Sequence, residues 1–366
     1  MHLGLTGDYG QALSYGRESR RLANELGDSY AVAVDEGNIA LAQALLGDYS
    51  AAREAIEASL AFVTRVGDRY SESAFHVFEA IIWRGLGDLE RAYASARRAL
   101  ELCRRTSNPN FEIEALGWLG RIEMDQDNVR QALHWFEQAV QVARTHSQAQ
   151  DWAEQLSHLA LAHSRLGDHE TALRLSDEAL ATMEAEMETS DRLKLVYFER
   201  AHILAAAQGQ RAALPVLERA YRVLMSVADR ISDPALRRSF LERVAENRAI
   251  ADAYERGYLP LPPRRQKARL PSLSAPSGRP LRDDEFVTVT WTIAAPEDDE
   301  VAGKAARRRH RLLRLLREAD AQSAAPTVTA LAQALGVSER TIKRDLAALR
   351  AAGHAVRTRG SRRQRS

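Results

Sequence analysis

The sequence has little of what would mark a secreted or membrane protein. Its 366 residues include one cysteine, Cys103, so an intrachain disulfide framework is excluded. No run approaches the roughly 20 apolar residues that a membrane-spanning helix needs. The first residues also lack the basic and apolar regions of a secretory signal. We therefore expect a cytoplasmic protein without membrane-spanning helices.

Motifs that carry enzyme chemistry are also missing. Gly303-Lys304 has no glycine five residues before it, so the sequence lacks the phosphate-binding loop of nucleotide hydrolases. His158 and His163 are five apart but lack the glutamate that a zinc-binding helix carries between its histidines. Cys103 has no paired base and is expected to be a small buried residue. The sequence predicts a protein that is not an enzyme and has no cofactor or metal.

An uneven distribution of charge is present instead. Residues 303–366 carry 16 basic and 4 acidic side chains, whereas residues 1–302 carry 35 basic and 46 acidic ones. The formal net charge of +1 conceals this contrast. A basic end on an acidic body predicts a polyanionic partner for that end, although the end could instead dock on the body.

A short motif recurs every 40 residues, at positions 7, 47, 87, 127 and 167. It reads Gly-Asp, then a variable residue that is twice tyrosine, then alanine three positions later; Asp127-Asn128 replaces Gly-Asp in one copy. Apolar residues recur at helical spacing on both sides of this break. Because glycine can end one helix and aspartate can cap the next, each unit is predicted to be an antiparallel helix pair. The sequence thus predicts a mostly α-helical solenoid over residues 1–256.

Small residues occupy the positions at which the two helices of a unit would cross. A methyl group or a hydrogen atom there lets the backbones approach, and a larger side chain would overpack the contact by about 1–3 kcal/mol. The first helices carry Ala40, Ala80, Gly120 and Ala160, and the second helices carry Ala52, Ala92, Ala132 and Ala172.

These small residues and the Gly-Asp turn resemble the tetratricopeptide repeat, over residues 5–230. The family's usual unit is about 34 residues long, and the 40-residue unit here resembles the arrays of bacterial signal-transduction ATPases and maltose-activator-type regulators. The resemblance implies a solenoid that binds a protein or peptide on a concave side lined by the first helices. The alternative is that the polar residues of these helices are merely solvated. The candidate lining residues are Arg84, Glu114, Arg121, Glu154 and Ser164.

The array departs from its pattern at both ends. The sequence opens on the turn and second helix of a unit, which would leave one apolar face of that helix exposed. We expect either a fragment of a longer chain, such as the tail of a larger signalling ATPase, or another element that covers the face. At the other end the step slips at Gly209, and a further helix over residues 235–256 is expected to cap the solenoid.

Prolines crowd into residues 257–302, which predicts an extended linker. The basic cluster at 264–269 is expected to be solvated. Residues 286–293 alternate apolar side chains with threonines and predict one β-strand in this linker. Because a lone strand is unstable, we expect it to pair with strands of the last domain or with a second copy of the chain in a homodimer.

The last segment, 303–366, has a specific spacing. If Val328 is counted as position 1, Ala332 is at position 5, Gly336 at 9 and Ile342 at 15. A small residue at 5 lets two helices cross, glycine at 9 makes the turn, and an apolar residue at 15 holds the second helix on the first. This is the spacing that a helix-turn-helix needs.

The segment 337–346 and the positions around it resemble the DeoR-type winged helix-turn-helix regulators of bacteria, over about residues 308–360. In such proteins the second helix enters the major groove of double-stranded DNA. The resemblance implies a DNA-binding transcriptional regulator, and the alternative is a scaffold whose winged helix contacts only protein. The residues implied at DNA are Ser338, Glu339, Arg340, Thr341, Lys343, Arg344 and Arg350, with His354, Arg357 and Arg359 in the wing.

The sequence therefore predicts an α-solenoid over 1–256, a linker over 257–302 and a winged helix-turn-helix domain over 303–366. The array is expected to bind a partner, and partner binding is hypothesised to change whether the basic domain is free to bind DNA.

Overall fold

The structure is a computed structural model that describes residues 8–146, 149–186, 191–276, 279–298 and 300–359. The chain divides into two compact units, Met1–Leu259 and Pro260–Ser366, which we call the array unit and the basic unit. Within the described residues, no helix is both long enough and apolar enough to cross a membrane.

The array unit consists of helices in which each packs antiparallel against the next, as in a tetratricopeptide-like solenoid. The helix pairs predicted from the repeat are confirmed, with α2, α4, α6, α8 and α10 as the first helices of successive pairs. The helices are Tyr9–Glu25 (α1), Ser29–Leu45 (α2), Tyr49–Val66 (α3), Arg69–Gly85 (α4), Leu89–Thr106 (α5), Pro109–Asp125 (α6), Val129–Thr145 (α7), Ala149–Leu166 (α8), His169–Glu186 (α9), Leu193–Gln208 (α10), Gln210–Ala228 (α11), Pro234–Glu242 (α12) and Ala245–Arg256 (α13).

The Gly-Asp turns end one helix and begin the next. Gly47 has a φ of 81°, in the left-handed region that glycine enters without steric cost. Asp127 replaces glycine in its copy and still adopts a positive φ of 63°. The side chain of Asp68 accepts hydrogen bonds from the backbone N–H groups of Tyr70 and Ser71, as a helix cap does. Asp48 is an exception, because its side chain makes no capping hydrogen bond.

The small residues lie where the paired helices cross. All four of the alanines Ala52, Ala92, Ala132 and Ala172 have no exposed surface. A Cβ atom added at Gly120 would lie only 2.3 Å from Cε1 of Phe136. A side chain at this position would therefore force the ring of Phe136 to shift.

The helix expected over 235–256 is in fact two helices, because Val244 is extended (ψ 114°) and separates α12 from α13. These helices do more than cap the last repeat. The ring of Phe240 lies 5.9 Å from the ring of Tyr9, and Tyr9 Oη donates a hydrogen bond to Asp191, just before α10. The two ends of the array unit thus meet, and Tyr9, Leu13 and Phe240 belong to one buried apolar cluster. Leu26, at the end of α1, stays 84% exposed.

The segment expected to be an extended linker is folded, which corrects the prediction. Residues Arg264–Pro271 form a strand (β1) that pairs antiparallel with Phe286–Ala294 (β2), the strand predicted at 286–293. The basic residues of β1 alternate with Ala268 and Leu270, which face the core of the basic unit. The partner of the predicted strand is therefore in the same segment, rather than in the last domain or a second chain.

The outer edge of β2 is closed by side chains of the following helix, Lys304–Ala321 (α14), and of the residue after it. Gln322 accepts a hydrogen bond from the N–H of Thr290 and donates one to its carbonyl. Glu318 accepts from the N–H of Thr292, and Arg314 donates to the carbonyl of Thr292. The sheet is thereby fixed on α14, and its edge is protected from pairing with other chains.

A buried aspartate joins the strand pair to α14. Asp298 has no exposed surface. Its carboxylate accepts hydrogen bonds from Arg311 (2.8 Å) and from both terminal nitrogens of Arg314 (2.7 Å each). Burial by itself would raise the pKa of Asp298, but the bonds from Arg314 and from the N–H of Ala295 outweigh it and lower the pKa.

Two further helices, Val328–Leu335 (α15) and Glu339–Ala351 (α16), complete the basic unit. Gly336 connects them with a φ of 62°. Thr327 caps α15 through the N–H of Ala330, and Ser338 caps α16 through the N–H of Thr341. The N-termini of both helices are thus capped by a side-chain oxygen that accepts a hydrogen bond from one of the first free backbone N–H groups.

The wing expected after α16 is not formed in the described residues, since 354–359 contain no strand. The segment before α15 pairs instead with the end of β1: the N–H of Ala325 donates to the carbonyl of Pro271, and the N–H of Leu273 donates to that of Ser323. Residues 360–366 of the predicted domain lie outside the described part of the chain.

Candidate functional site

The first helices of the array unit line a groove that contains a cavity of about 880 Å³. One wall is apolar and aromatic, with Tyr49, Phe78, Phe111 and Trp118. The opposite wall comes from residues 240–247, at the junction of α12 and α13. We call residues 239–247 the corner.

A carboxylate from the corner lies between two arginines of the first helices. Oε1 of Glu246 is 2.6 Å from Nη1 of Arg84 and 2.5 Å from Nη2 of Arg121. The guanidinium of Arg121 makes a cation–π contact with the ring of Trp118, with its Cζ 4.0 Å from the ring centroid. Burial alone would raise the pKa of Glu246, but the two guanidinium groups outweigh it and hold the pKa well below its usual range.

A second charge cluster lies further along the groove. Arg192 donates to Asp151 (2.6 Å) and Glu114 (2.9 Å) and lies 2.6 Å from Glu154. The carboxylate oxygens of these acids lie within 4.8 Å of one another, as metal ligands would. Burial raises the pKa of Glu114 despite Arg192, whereas for Glu154 the nearby cations outweigh burial and lower it. Because the guanidinium of Arg192 already lies among these carboxylates and pairs with each of them, we assign no metal to them.

The structure brings four of the five predicted lining residues together. Arg84, Glu114, Arg121 and Glu154 all line the cavity. Each is held in an intramolecular ion pair rather than solvated. Ser164 is not at the cavity; it is 8% exposed, and its hydroxyl lies 3.5 Å from Nδ1 of His169.

Sequence reasoning missed Glu246, which lies 162 positions from Arg84 and 125 from Arg121. No local pattern can connect residues so far apart. Trp118 could have been found, because it is three residues before Arg121 on α6 and therefore shares its helix face.

The second candidate site is the outward face of α16 in the basic unit. Arg340, Lys343, Arg344 and Arg350 are all exposed. The opposite face is held by the buried side chains of Ile342, Leu346 and Leu349 and by Asp345, whose carboxylate pairs with Arg308 at 2.5 Å.

Other residues predicted at DNA have intramolecular partners. Glu339 accepts a hydrogen bond of 2.6 Å from Thr329 and lies 3.8 Å from Lys343. The hydroxyls of Ser338 and Thr341 lie 3.0 Å apart at the start of α16.

The residues predicted in the wing occupy a strandless segment. His354 is half-buried. Arg357 is exposed and lies 3.3 Å from Asp320. The side chain of Arg359 donates to the carbonyl of Pro276, and its backbone N–H donates to that of Pro326.

The strand pair adds a basic surface that sequence reasoning took to be a solvated cluster. Arg265, Lys267 and Arg269 share one face of β1 and are exposed. In the sheet they lie opposite Thr292, Thr290 and Thr288, respectively. Residues 260–366 carry 22 basic and 11 acidic side chains, so the basic unit as a whole has an excess of positive charge.

Comparisons with known proteins agree with the fold of the array unit. A model described as a tetratricopeptide repeat matches residues 152–189, which include most of α8 and α9. A family described as a protein of unknown function, DUF1670, matches residues 228–364. That match begins at the end of α11, so it includes α12, α13 and nearly all of the basic unit. A search of curated proteins finds no significant match.

Solved structures resemble the array unit at low sequence identity. A Rap protein complexed with competence and sporulation factor has a TM-score of 0.54 and 13% identity, over 70% of this chain and 74% of that one. The Rap conjugation gene regulator of plasmid pLS20, solved with a peptide, has a TM-score of 0.51 and 14% identity, over 70% and 72%. Aspartyl phosphate phosphatase F from Bacillus subtilis has a TM-score of 0.50 and 12% identity, over 65% and 64%. At these identities the likeness extends to the fold alone.

Proposed function

We propose that this protein is a DNA-binding transcriptional regulator, without enzymatic activity, whose array unit binds a protein or peptide partner in the cytoplasm. The observation that carries the DNA-binding part is the solvent face of α16. Four basic side chains project from a helix whose other face is fixed by buried leucines and isoleucine. A rigid helix with a basic outer face is what binding in a major groove requires.

The turn before α16 supports the same proposal. Gly336 has the positive φ that a tight turn between two helices needs, and Val337 packs on the core of the unit. The pattern that resembled DeoR-type regulators therefore lies on two packed helices. Arg340, Lys343 and Arg344 would contact base edges or phosphates, and Ser338 and Thr341 would offer hydroxyls to phosphates.

We further propose that the basic face of the strand pair takes the role expected of the wing. Lys267 and Arg269 are exposed on β1 beside the threonines of β2. Such a face can neutralise phosphates without reading sequence. Arg357 and Arg359 then contribute positive charge from an irregular segment.

The groove of the array unit supports partner binding. It combines an aromatic wall with fixed charges, and peptide sites in proteins commonly pair apolar surface with a few oriented polar groups. A similar fold holds a peptide in the Rap conjugation gene regulator and competence and sporulation factor in another Rap protein. The rival reading is a scaffold whose basic unit contacts protein; a complex that survives nuclease and moderate salt would favour it.

The test is to capture DNA with the tagged full-length protein from sheared genomic DNA of its own source and to sequence what is retained. We expect enrichment of a limited set of sites. The variant Lys343→Glu/Arg344→Glu should lose this enrichment. A matched control, Arg105→Glu/Arg222→Glu, makes the same change in net charge at array side chains that are 70% and 71% exposed and should retain it. Equal enrichment by both variants would rule out α16 as the reading helix.

A further inference from the structure

The corner occupies the groove as a bound ligand would. Phe240 is 1% exposed and Asn247 is fully buried. A Cβ atom added at Gly47 would lie 2.8 Å from the carbonyl oxygen of Ser239, so the corner reaches the backbone of a repeat turn. Glu246 binds Arg84 and Arg121, which belong to two different repeats.

The corner is grouped with the basic unit by sequence and with the array by packing. The match to DUF1670 starts at residue 228 and continues to 364, through α12, α13 and the basic unit. Only residues 257–263 separate the end of α13 from the start of β1. The corner therefore belongs to the same family match as the C-terminal sequence, but it is docked in the groove of the repeats.

The groove around the corner is not fully used. A cavity of about 880 Å³ remains beside it. Asn247 lines this cavity; its Nδ2 donates to the carbonyl of Phe240, but its Oδ1 is buried and has no hydrogen-bond partner among the described residues. A buried acceptor without a donor is costly, so the site has room and an unmet hydrogen bond for a ligand.

We propose that the corner is an internal ligand of the groove, and that the external partner is a short peptide with an acidic side chain next to an apolar one. The partner's carboxylate would replace that of Glu246 between Arg84 and Arg121, and its apolar side chain would enter the aromatic wall at Phe78 and Phe111. Binding therefore releases α13 from the groove. This deepens the proposed role of the array unit and does not depend on DNA binding.

The competition is governed by effective concentration. A tethered corner meets the two arginines at an effective concentration on the order of millimolar, so a free peptide at micromolar concentration competes poorly. Removing the carboxylate of Glu246 should remove that advantage. Glutamine is nearly isosteric and keeps the side chain's volume, so Glu246→Gln tests the charge rather than the packing.

The probe is a fluorescein-labelled synthetic peptide with the sequence of residues 234–256, titrated with the full-length protein. We expect Glu246→Gln protein to bind it at least about tenfold more tightly than wild type does. A peptide carrying Gln in place of its glutamate at 246 should show no such gain. Adding Arg121→Gln to the Glu246→Gln protein should abolish the gain, because the carboxylate then has a single arginine.

Equal binding of the peptide to folded wild-type and Glu246→Gln proteins would overturn the proposal, as would a gain that does not need the peptide's glutamate. If Glu246→Gln fails to fold, the test is amide hydrogen exchange of the wild-type protein with and without excess peptide. The amides of α13 should exchange faster when the peptide is present, and unchanged exchange would overturn the proposal. DNA capture by the same preparations is scored separately, so failure of DNA binding is distinguishable from failure of the corner.

Discussion

The array unit is held together by ion pairs between charged residues that are far apart in the sequence. A buried charge is tolerated when it is paired and hydrogen-bonded, and leaving one member unpaired is strongly destabilising. Glu246 forms ion pairs with Arg84 and Arg121, while Arg192 forms ion pairs with the three carboxylates of its cluster. The sequence predicted that Arg84 and Arg121 line a groove, but it could not predict that the groove is already occupied.

The depressed pKa of Glu246 predicts an acid-sensitive contact. Because the folded state holds the carboxylate ionised, its stabilisation is complete above the ordinary glutamate pKa of about 4.3 and is lost as pH falls toward the lower folded pKa. We expect the urea midpoint of wild type to exceed that of Glu246→Gln at neutral pH, and the gap to narrow steadily below about pH 4. A gap that stays constant from pH 7 to pH 3 would contradict this assignment.

Gly120 predicts a steric effect at a helix crossing. An added methyl would lie 2.3 Å from the ring of Phe136, so Gly120→Ala should lower the free energy of unfolding by about 1–3 kcal/mol. Gly10 is the control, since it lies in α1 and, among the described residues, no side chain and no other helix comes within 4 Å of its added Cβ. Gly10→Ala should be neutral or stabilise by up to about 1 kcal/mol. Urea unfolding of both variants measures the difference, and equal stabilities would contradict the crossing.

At the scale of elements, the sequence predicted what local periodicity can encode. The turns at Gly47 and Gly87, the helix pairs and β2 all follow from short patterns. β1 was missed because three of its side chains on one face are basic, and because the prolines around it indicated a linker. The break at Val244 was missed because no glycine or proline marks it. The docking of the corner depends on contacts between residues more than a hundred positions apart, which a pattern within a short sequence segment cannot reveal.

The buried ion pairs of Asp298 with Arg311 and Arg314 are predicted to stabilise the basic unit. Asp298→Asn leaves Arg311 and Arg314 without their buried anion, so we expect a loss of roughly 2–4 kcal/mol. Asp283→Asn is the matched control, because the side chain of Asp283 is 95% exposed where it pairs with Arg269, and exposed pairs contribute about 0–1 kcal/mol. Hydrogen exchange at the amides of β2 reports on this unit separately from the array. Similar protection in both variants would show that these ion pairs are not needed.

At the scale of the whole molecule, two units of opposite charge are joined in one chain. Residues 1–259 carry 29 basic and 39 acidic side chains, against 22 and 11 in residues 260–366. The sequence predicted this contrast, although it placed the start of the second unit about forty residues too late because the strand pair was taken for a linker. A chain with this distribution is suited to bind a polyanion with one unit and a different partner with the other.

The most direct measurement is the salt dependence of binding between the full-length protein and a short DNA duplex, by fluorescence anisotropy. If the basic unit grips DNA through phosphates, the logarithm of the association constant should fall linearly with that of salt concentration, with a slope near −0.9 for each phosphate neutralised. Lys343→Glu/Arg344→Glu should weaken binding and make the slope shallower, while Arg105→Glu/Arg222→Glu should leave both unchanged. Folded wild-type protein that fails to bind duplex DNA at low salt, or a charge-reversed α16 that binds as wild type does, would contradict the account.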